Sequence, residues 1–139
     1  MDAALEASLL ARARAIPISE TLAFEFLSLG DGTCSIRVPR RKEYDGIYES
    51  FHGGILMTAA DSAAAFAVLT VTGPKEAIAT TDMGIRFHAR CLTGIRVEAR
   101  VIKAGRTLVP VAAEIFDEKD VLVATAQVTY IRLGPKSGA

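Results

Sequence analysis

Tryptophan is absent from this sequence, and aromatic residues of any kind are few. The 139 residues contain no Trp, three Tyr and six Phe, and the 16 basic and 16 acidic side chains cancel in charge. A protein that binds nucleic acid needs a basic surface for the phosphates and, for single strands, aromatic platforms on which bases stack. The composition therefore predicts a protein that does not bind nucleic acid.

Cysteine is scarce as well. Cys34 and Cys91 are far apart and outside any CxxC spacing, which is typical of free thiols in a reducing compartment, although a pairing of the two stays open.

Charged residues interrupt the first nineteen positions, where a secretory signal needs an apolar run. The longest weakly polar stretch, residues 55–71, contains Asp61 and many alanines, so we expect no membrane span. The predicted location is the cytoplasm.

The periodicity of the chain predicts one α+β domain over residues 1–139. An amphipathic helix at 3–15, within an N-terminal helical segment 1–17, ends before Pro17. Alternating strands at 22–29 and 33–38 flank a Gly-Asp-Gly turn and form a hairpin. The tail, residues 134–139, is expected to fray.

A long apolar helix and a second group of strands complete the pattern. The helix follows Gly53-Gly54, ends at Gly73-Pro74, and is apolar almost all the way round, so the sheet or another subunit should enclose it. Antiparallel strands follow at 78–89, 94–103, 106–117 and 121–133, with Pro110 suggesting an edge strand or a bulge. These elements predict a curved antiparallel sheet wrapped around a long central helix.

Asp61 lies in the middle of this helix among Ala, Met, Leu and Phe. A carboxylate in such surroundings is costly unless it is paired or used in chemistry. The residues leave three interpretations open: a catalytic acid, an Asp on a narrow solvent-facing stripe with Thr58, Ser62 and Thr72, or an Asp that a neighbouring backbone satisfies.

Gly53 and Gly54 open the helix, where free N–H groups and the helix dipole favour a partial negative charge. An N–H there could polarise a carbonyl oxygen, or the glycines could simply make a tight turn that His52 caps. Eight residues separate Gly53 from Asp61, about 12 Å along a helix axis. If both act on one substrate, they must come from two copies of the helix, so the site would lie across a two-fold interface.

The segment HGGILMTAADSAAAFA (52–67) resembles the HGG-x(6)-D helix of hotdog-fold acyl-CoA thioesterases of the phenylacetate-pathway type. The likeness continues through ATTDMGIRF (79–87), AGRTL (104–108) and LVATAQVTYI (122–131). It implies a hotdog dimer or tetramer that hydrolyses an acyl-CoA thioester with water, and that uses no metal and no other cofactor.

The resemblance also implies roles for individual residues. Asp61 corresponds to the nucleophile or general base, the Gly53 amide to the group that polarises the thioester carbonyl, and His52 to the histidine beside that amide. Thr80 best matches the family's Ser or Thr that lies near the attacking water, with Thr81 as the near alternative. From their positions around the same helix start and along the following strand, we expect further substrate-binding residues: Gly54, Tyr48, Glu49, Thr81 and Phe87. Arg86, His88 and Arg90 follow Thr80 on or just after this strand and could meet the CoA phosphates, although a solvated strand face explains them equally well.

The chain departs from the family pattern at two positions. Many members have Asn six residues before the His and Gly three before it, whereas this chain has Gly46 and Glu49. These departures leave open a non-catalytic hotdog module that binds acyl-CoA or a small apolar ligand. A separate alternative within the same fold is a hydratase or dehydratase of acyl thioesters, which would need an acid beside His88. The sequence leaves the acyl group, the choice between dimer and tetramer, and the chemical role of Asp61 undetermined.

Overall fold

Six antiparallel strands form one sheet, and a long helix lies across it. A computed structural model describes residues 1–135, and residues 136–139 of the predicted frayed tail lie outside this range. The sheet order is β1-β2-β4-β5-β6-β3. The elements are α1 (Ala3–Ala15), α2 (Pro17–Thr21), β1 (Glu25–Gly30), β2 (Thr33–Val38), a 3-10 turn (Lys42–Tyr44), α3 (Gly53–Thr72), β3 (Glu76–Phe87), β4 (Ile95–Val101), β5 (Leu108–Asp117) and β6 (Leu122–Pro135). The predicted hotdog architecture is confirmed.

Helix α3 supplies the centre of the core. It contacts all six strands, and the side chains that meet the sheet are buried, mostly alanines together with Leu56, Phe66, Val68 and Leu69. The small alanines allow close approach between helix and sheet, while alternate residues of β4 to β6 supply the bulk. The helix also has the length and composition of a membrane span. Core helices of soluble proteins share these properties, and here the sheet covers one side of α3.

Two short helices precede the sheet. Helix α1 starts at its N-cap Asp2, whose carboxylate accepts the N–H of Leu5, and it buries Leu9 and Ala13 completely. It covers one end of the core through contacts with α3 and β1. Pro17 ends α1 as predicted, and it also occupies the first position of α2, where its missing N–H costs nothing.

A tight turn closes the β1–β2 hairpin. Gly30 pairs with Thr33, so Asp31 and Gly32 form a two-residue loop. Both have positive φ, 50° and 80°, the conformation that an Asp-Gly hairpin turn requires. The hairpin prediction is therefore confirmed, with β1 starting three residues later than expected.

The expectation that Pro110 marks an edge strand or a bulge is wrong. Strand β5 lies inside the sheet, and Pro110 pairs in regular register with Thr129 of β6. On its other side, the regular β4–β5 pairing stops at Val101 and Val111, and the Pro110 carbonyl accepts only the N–H of Ile102. The proline is tolerated because its missing N–H faces the point where β4 ends.

Strand β3 is the free edge of the sheet beside the catalytic candidates. It pairs with β6 on one side only, runs for twelve residues and has few buried side chains. An irregularity between Thr80 and Asp82 interrupts its register with β6. A long edge strand of this kind is available for pairing with another chain.

Candidate active site

The Asp61 carboxylate is held by two hydroxyl groups. Its Oδ1 atom accepts a hydrogen bond from Thr80 Oγ1 at 2.9 Å and one from Tyr130 Oη at 2.7 Å. Within residues 1–135, Oδ2 has no hydrogen-bond donor. Since no buried side-chain oxygen in this range lacks a partner, Oδ2 must reach the surface. The carboxylate thus has one anchored oxygen and one free oxygen.

The register of β3 against β6 explains why the two hydroxyls meet. Thr80 lies directly opposite Tyr130, so their side chains are neighbours on the sheet. Tyr130 follows the buried residues Ala126 and Val128 at alternate positions of β6 and therefore faces α3 at the level of Asp61. Thr80 is exposed, whereas Tyr130 is 2% exposed.

Tyr130 is a site residue that the sequence analysis missed. Burial, and secondarily the hydrogen bond and negative charge of Asp61, raise the pKa of its phenol well above the ordinary value, so the hydroxyl is a permanent donor. One signal was available in the sequence. Tyr130 is the only tyrosine in the strand region, and it occupies an inward position that alternates with Val and Ala, where a buried hydroxyl needs a partner.

The solvent-facing interpretation of Asp61 is partly right. Thr58, Asp61 and Ser62 are all half-buried and share one stripe of α3. The carboxylate is nevertheless bonded to two other elements of the fold, so it is held in place and is not simply solvated.

The start of α3 leaves one N–H group free. His52 is the N-cap, and its Nδ1 accepts the N–H of Gly54 at 2.9 Å. The Gly53 N–H has no acceptor within residues 1–135. His52 thus caps the helix, as one of the two interpretations proposed, and Gly53 keeps a free N–H at the positive end of the helix dipole.

Both glycines are packed closely by aromatic rings. A Cβ atom on Gly53 would lie 3.0 Å from Phe87 Cζ, and one on Gly54 would lie 3.2 Å from the His52 ring. Gly54 thereby gives the imidazole room to cap. Phe87, at the end of β3, is 53% exposed and forms one wall beside the Gly53 N–H.

Arg40 organises the loop that leads to α3. It forms a two-pronged ion pair with Asp45 and donates to the carbonyl oxygens of Glu49 and Leu92. Because of the hydrogen bond and charge of Arg40, the pKa of Asp45 is lowered. Glu49 adopts a left-handed conformation with φ of 55°, which favours glycine. The glycine that many family members have in place of Glu49 would adopt this conformation without strain.

The predicted substrate-binding residues are divided between two surfaces. Tyr48, Glu49 and Arg90 line one open groove, and Arg90 donates to the Tyr48 carbonyl oxygen. Arg86 and His88 lie on β3 or just after it and are exposed, the first bonded to the Ile85 carbonyl and the second to the Thr125 hydroxyl.

Thr81 does not join the carboxylate site. Its hydroxyl donates to the Thr129 carbonyl oxygen, so Thr80 is the hydroxyl that reaches Asp61. Among residues 1–135, no group of three His, Cys, Asp or Glu side chains could hold a metal ion. The expectation of chemistry without metal or cofactor stays a prediction.

The thioesterase superfamily profile matches residues 48–131, which contain α3, strands β3 to β5, most of β6 and both parts of the site. The chain belongs to the thioesterase superfamily. This membership confirms the predicted hotdog thioesterase family and makes the protein a thioester hydrolase.

Two relatives from Saccharolobus solfataricus carry provisional esterase names. One is 28% identical over 114 residues, with 81% of both chains covered. The other is 30% identical over 111 residues, covering 79% of this chain and 73% of the relative.

Solved structures share the same fold. A conserved protein from Pseudomonas aeruginosa is 28% identical, with a TM-score of 0.82 over 88% of this chain and 98% of that one. The PaaI protein of the E. coli phenylacetic acid degradation operon is 20% identical, with a TM-score of 0.85 over 95% of this chain and 98% of that one. The second likeness concerns the fold alone.

Proposed function

We propose that this thioester hydrolase is a cytoplasmic acyl-CoA thioesterase whose active site combines Asp61 of one subunit with the Gly53 N–H of another. The observation that carries the proposal is the separation of two complementary groups. Asp61 presents a free carboxylate oxygen, and a free backbone donor lies eight residues earlier on the same helix, about 12 Å away. One thioester group cannot contact both on a single helix.

Pairing of two β3 strands supplies the missing geometry. Gly53 packs against Phe87 at one end of β3, and Asp61 bonds to Thr80 nearer the other end. In an antiparallel pair of identical strands, a two-fold axis near the midpoint of Thr80 and Phe87, between Met83 and Gly84, brings Thr80 of one copy beside Phe87 of the other. The proposed dimer therefore has two equivalent sites, each built from both chains.

Exposed basic residues support CoA as the leaving group. Arg86, His88 and Arg90 extend from the Phe87 end of β3, on the side of the Gly53 N–H, and all three are exposed. A CoA molecule carries phosphates, which Arg side chains bind well. The exposed apolar residues Ile47, Tyr48 and Phe87 offer contacts for an acyl chain or an aryl group.

Two routes use the free oxygen of Asp61. As a general base, Oδ2 takes a proton from water while the water oxygen attacks the thioester carbon, and that proton later goes to the departing thiolate. As a nucleophile, Oδ2 attacks directly, CoA leaves, and water hydrolyses the mixed anhydride. In both routes the developing negative charge on the carbonyl oxygen is stabilised by the Gly53 N–H. Repeated turnover in ¹⁸O-water labels Asp61 only in the nucleophilic route if water attacks the aspartyl carbon.

The test of activity measures free CoA thiol released from a panel of aryl- and alkyl-acyl-CoAs. The chain's own cysteines are buried, and burial raises the pKa of Cys34 to about 12, so they add little background. Asp61→Asn should retain less than a tenth of the wild-type rate, because the amide is not a base, while CoA binding persists. Asp120→Asn, the same change at an exposed turn, should leave the rate unchanged.

The outcomes separate the candidate functions. Equal rates for wild type and Asp61→Asn would overturn the role of Asp61. Thermal stabilisation by acyl-CoA without thiol release would favour the non-catalytic binding module. The hydratase interpretation gains no support from the structure, because His88 Nε2 bonds to Thr125 and not to a carboxylate.

The shared site has its own test, which is complementation between two inactive variants. Gly53→Pro lacks the N–H, and Asp61→Asn lacks the base. In mixed dimers one of the two sites then carries both intact groups. Coexpression should restore about a quarter of wild-type activity, because half of randomly assembled dimers are mixed. Activity no higher than that of the separate variants would show that each site uses one chain.

A further inference from the structure

We propose that Tyr130 is a positioning residue for Asp61, which fixes one carboxylate oxygen so that the other faces the reacting thioester. The inference rests on the proposed function. It concerns a buried residue of β6 that would touch no part of the substrate and would act through Asp61 alone.

The geometry makes Tyr130 the rigid member of the site. Asp61 Oδ1 receives donors from Thr80 and Tyr130, but Thr80 is exposed on the edge strand, whereas Tyr130 is 2% exposed. The phenol ring cannot move without disturbing the core, since a packed interior holds its side chains in single rotamers. The Asp61 side chain is therefore fixed relative to the sheet, and its free Oδ2 points to the surface of α3.

Burial also fixes the direction of the hydrogen bond. A tyrosine hydroxyl has one hydrogen, and leaving it without an acceptor in the interior is costly. Within residues 1–135 its two acceptors both belong to Asp61: Oδ1 at 2.7 Å and the backbone oxygen at 2.6 Å. The bond to an ionised carboxylate is the stronger one, so the resting enzyme directs the hydrogen to Oδ1.

The second acceptor gives the hydroxyl an alternative partner during turnover. When Oδ2 takes a proton from water, the negative charge on the carboxylate disappears and the bond to Oδ1 weakens. The hydroxyl hydrogen can then turn to the backbone oxygen of the same residue without the ring moving. Tyr130 consequently stays hydrogen-bonded in both protonation states of Asp61, and no atom of Tyr130 is transferred.

The test is Tyr130→Phe, which removes the hydroxyl and keeps the ring. A hydrogen bond to a charged group corresponds to roughly a 10- to 100-fold change in an equilibrium or rate constant, so we expect kcat to fall by about that factor. KM should stay within about twofold. The acid side of the pH–rate profile should move to higher pH, because the ionised carboxylate loses one of its two donors. A purely structural role, in which part of the variant is unfolded, would also lower the apparent kcat at unchanged KM. It would leave the pH–rate profile of the folded enzyme where it is in the wild type.

The control is Thr70→Val. Thr70 lies on α3, and its partly buried hydroxyl accepts the Gly32 N–H and donates to the Ala67 carbonyl. Like Tyr130→Phe, the change removes a hydrogen-bonded hydroxyl from the interior. It should lower the melting temperature by a few degrees, as Tyr130→Phe should, without the loss of kcat. A Tyr130→Phe enzyme with wild-type kcat and an unchanged profile would overturn the positioning role and leave the thioesterase proposal standing. A wild-type enzyme that releases no thiol would overturn both.

Discussion

The free N–H of Gly53 can be removed with almost no change in the shape of helix α3. Gly53 is the first helical residue after the N-cap His52, and this is the position at which proline is most readily accepted. The backbone of His52 has ψ of 128°, within the range that precedes proline. Gly53→Pro should therefore fold and should lack only the donor that polarises the thioester carbonyl.

Gly53→Ala is the matched control, because alanine keeps the N–H. Both variants add a Cβ atom 3.0 Å from Phe87 Cζ, and Phe87 is 53% exposed, so its ring can shift in either variant. Any effect of this crowding is common to the pair. Beyond this crowding, the two variants differ in the N–H and in the two further ring carbons of proline.

The expected difference is large. Loss of one oxyanion donor costs about 10²- to 10³-fold in kcat, or roughly 3–4 kcal/mol of transition-state stabilisation. Thiol release under saturating acyl-CoA should thus fall by that factor in Gly53→Pro relative to Gly53→Ala, with similar melting temperatures for the two. Equal kcat values would refute the assignment of this N–H to the carbonyl oxygen.

Two further predictions concern the loop before α3. Glu49→Gly should raise the free energy of unfolding in urea by about 0.5–1 kcal/mol. Glycine adopts the left-handed φ without strain, and its greater freedom in the unfolded chain offsets this gain only in part. Glu49→Ala keeps the strain and should show no gain. The lowered pKa of Asp45 contributes stability above its unfolded pKa of about 3.9, and this contribution is lost as pH falls through the folded value. Arg40→Met should therefore lower the urea midpoint at pH 6 and make it fall less between pH 5 and pH 3; a parallel fall in wild type and variant would contradict the linkage.

The sequence was sufficient for the main elements of the fold because local chemistry marks their ends. Gly53-Gly54 and Gly73-Pro74 bound α3, and strict alternation marks residues 95–101 as a strand. The error at Pro110 arose because the end of the neighbouring strand, which leaves room for proline, is a long-range property. The contact between Arg40 and Leu92 could not be predicted for the same reason, because it joins residues that are 52 positions apart in the sequence.

The candidate site was predictable to a different degree for each residue. Asp61 was conspicuous because a carboxylate in an apolar helix is costly, and Gly53 because it opens that helix. Thr80 came from the family resemblance alone. Tyr130 depends on the register that places β6 opposite β3, and a single-chain pattern does not contain that register.

The exposed edge of β3 has a consequence for the handling of this protein. An unpaired strand of twelve residues offers a row of free backbone groups to any other extended chain, and such edges promote aggregation. On dilution below the dissociation constant of the proposed dimer, specific activity should therefore fall. At a fixed protein concentration, a change that weakens the pairing should make the protein more prone to aggregate. The colloidal stability of the protein and its turnover would then depend on the same strand.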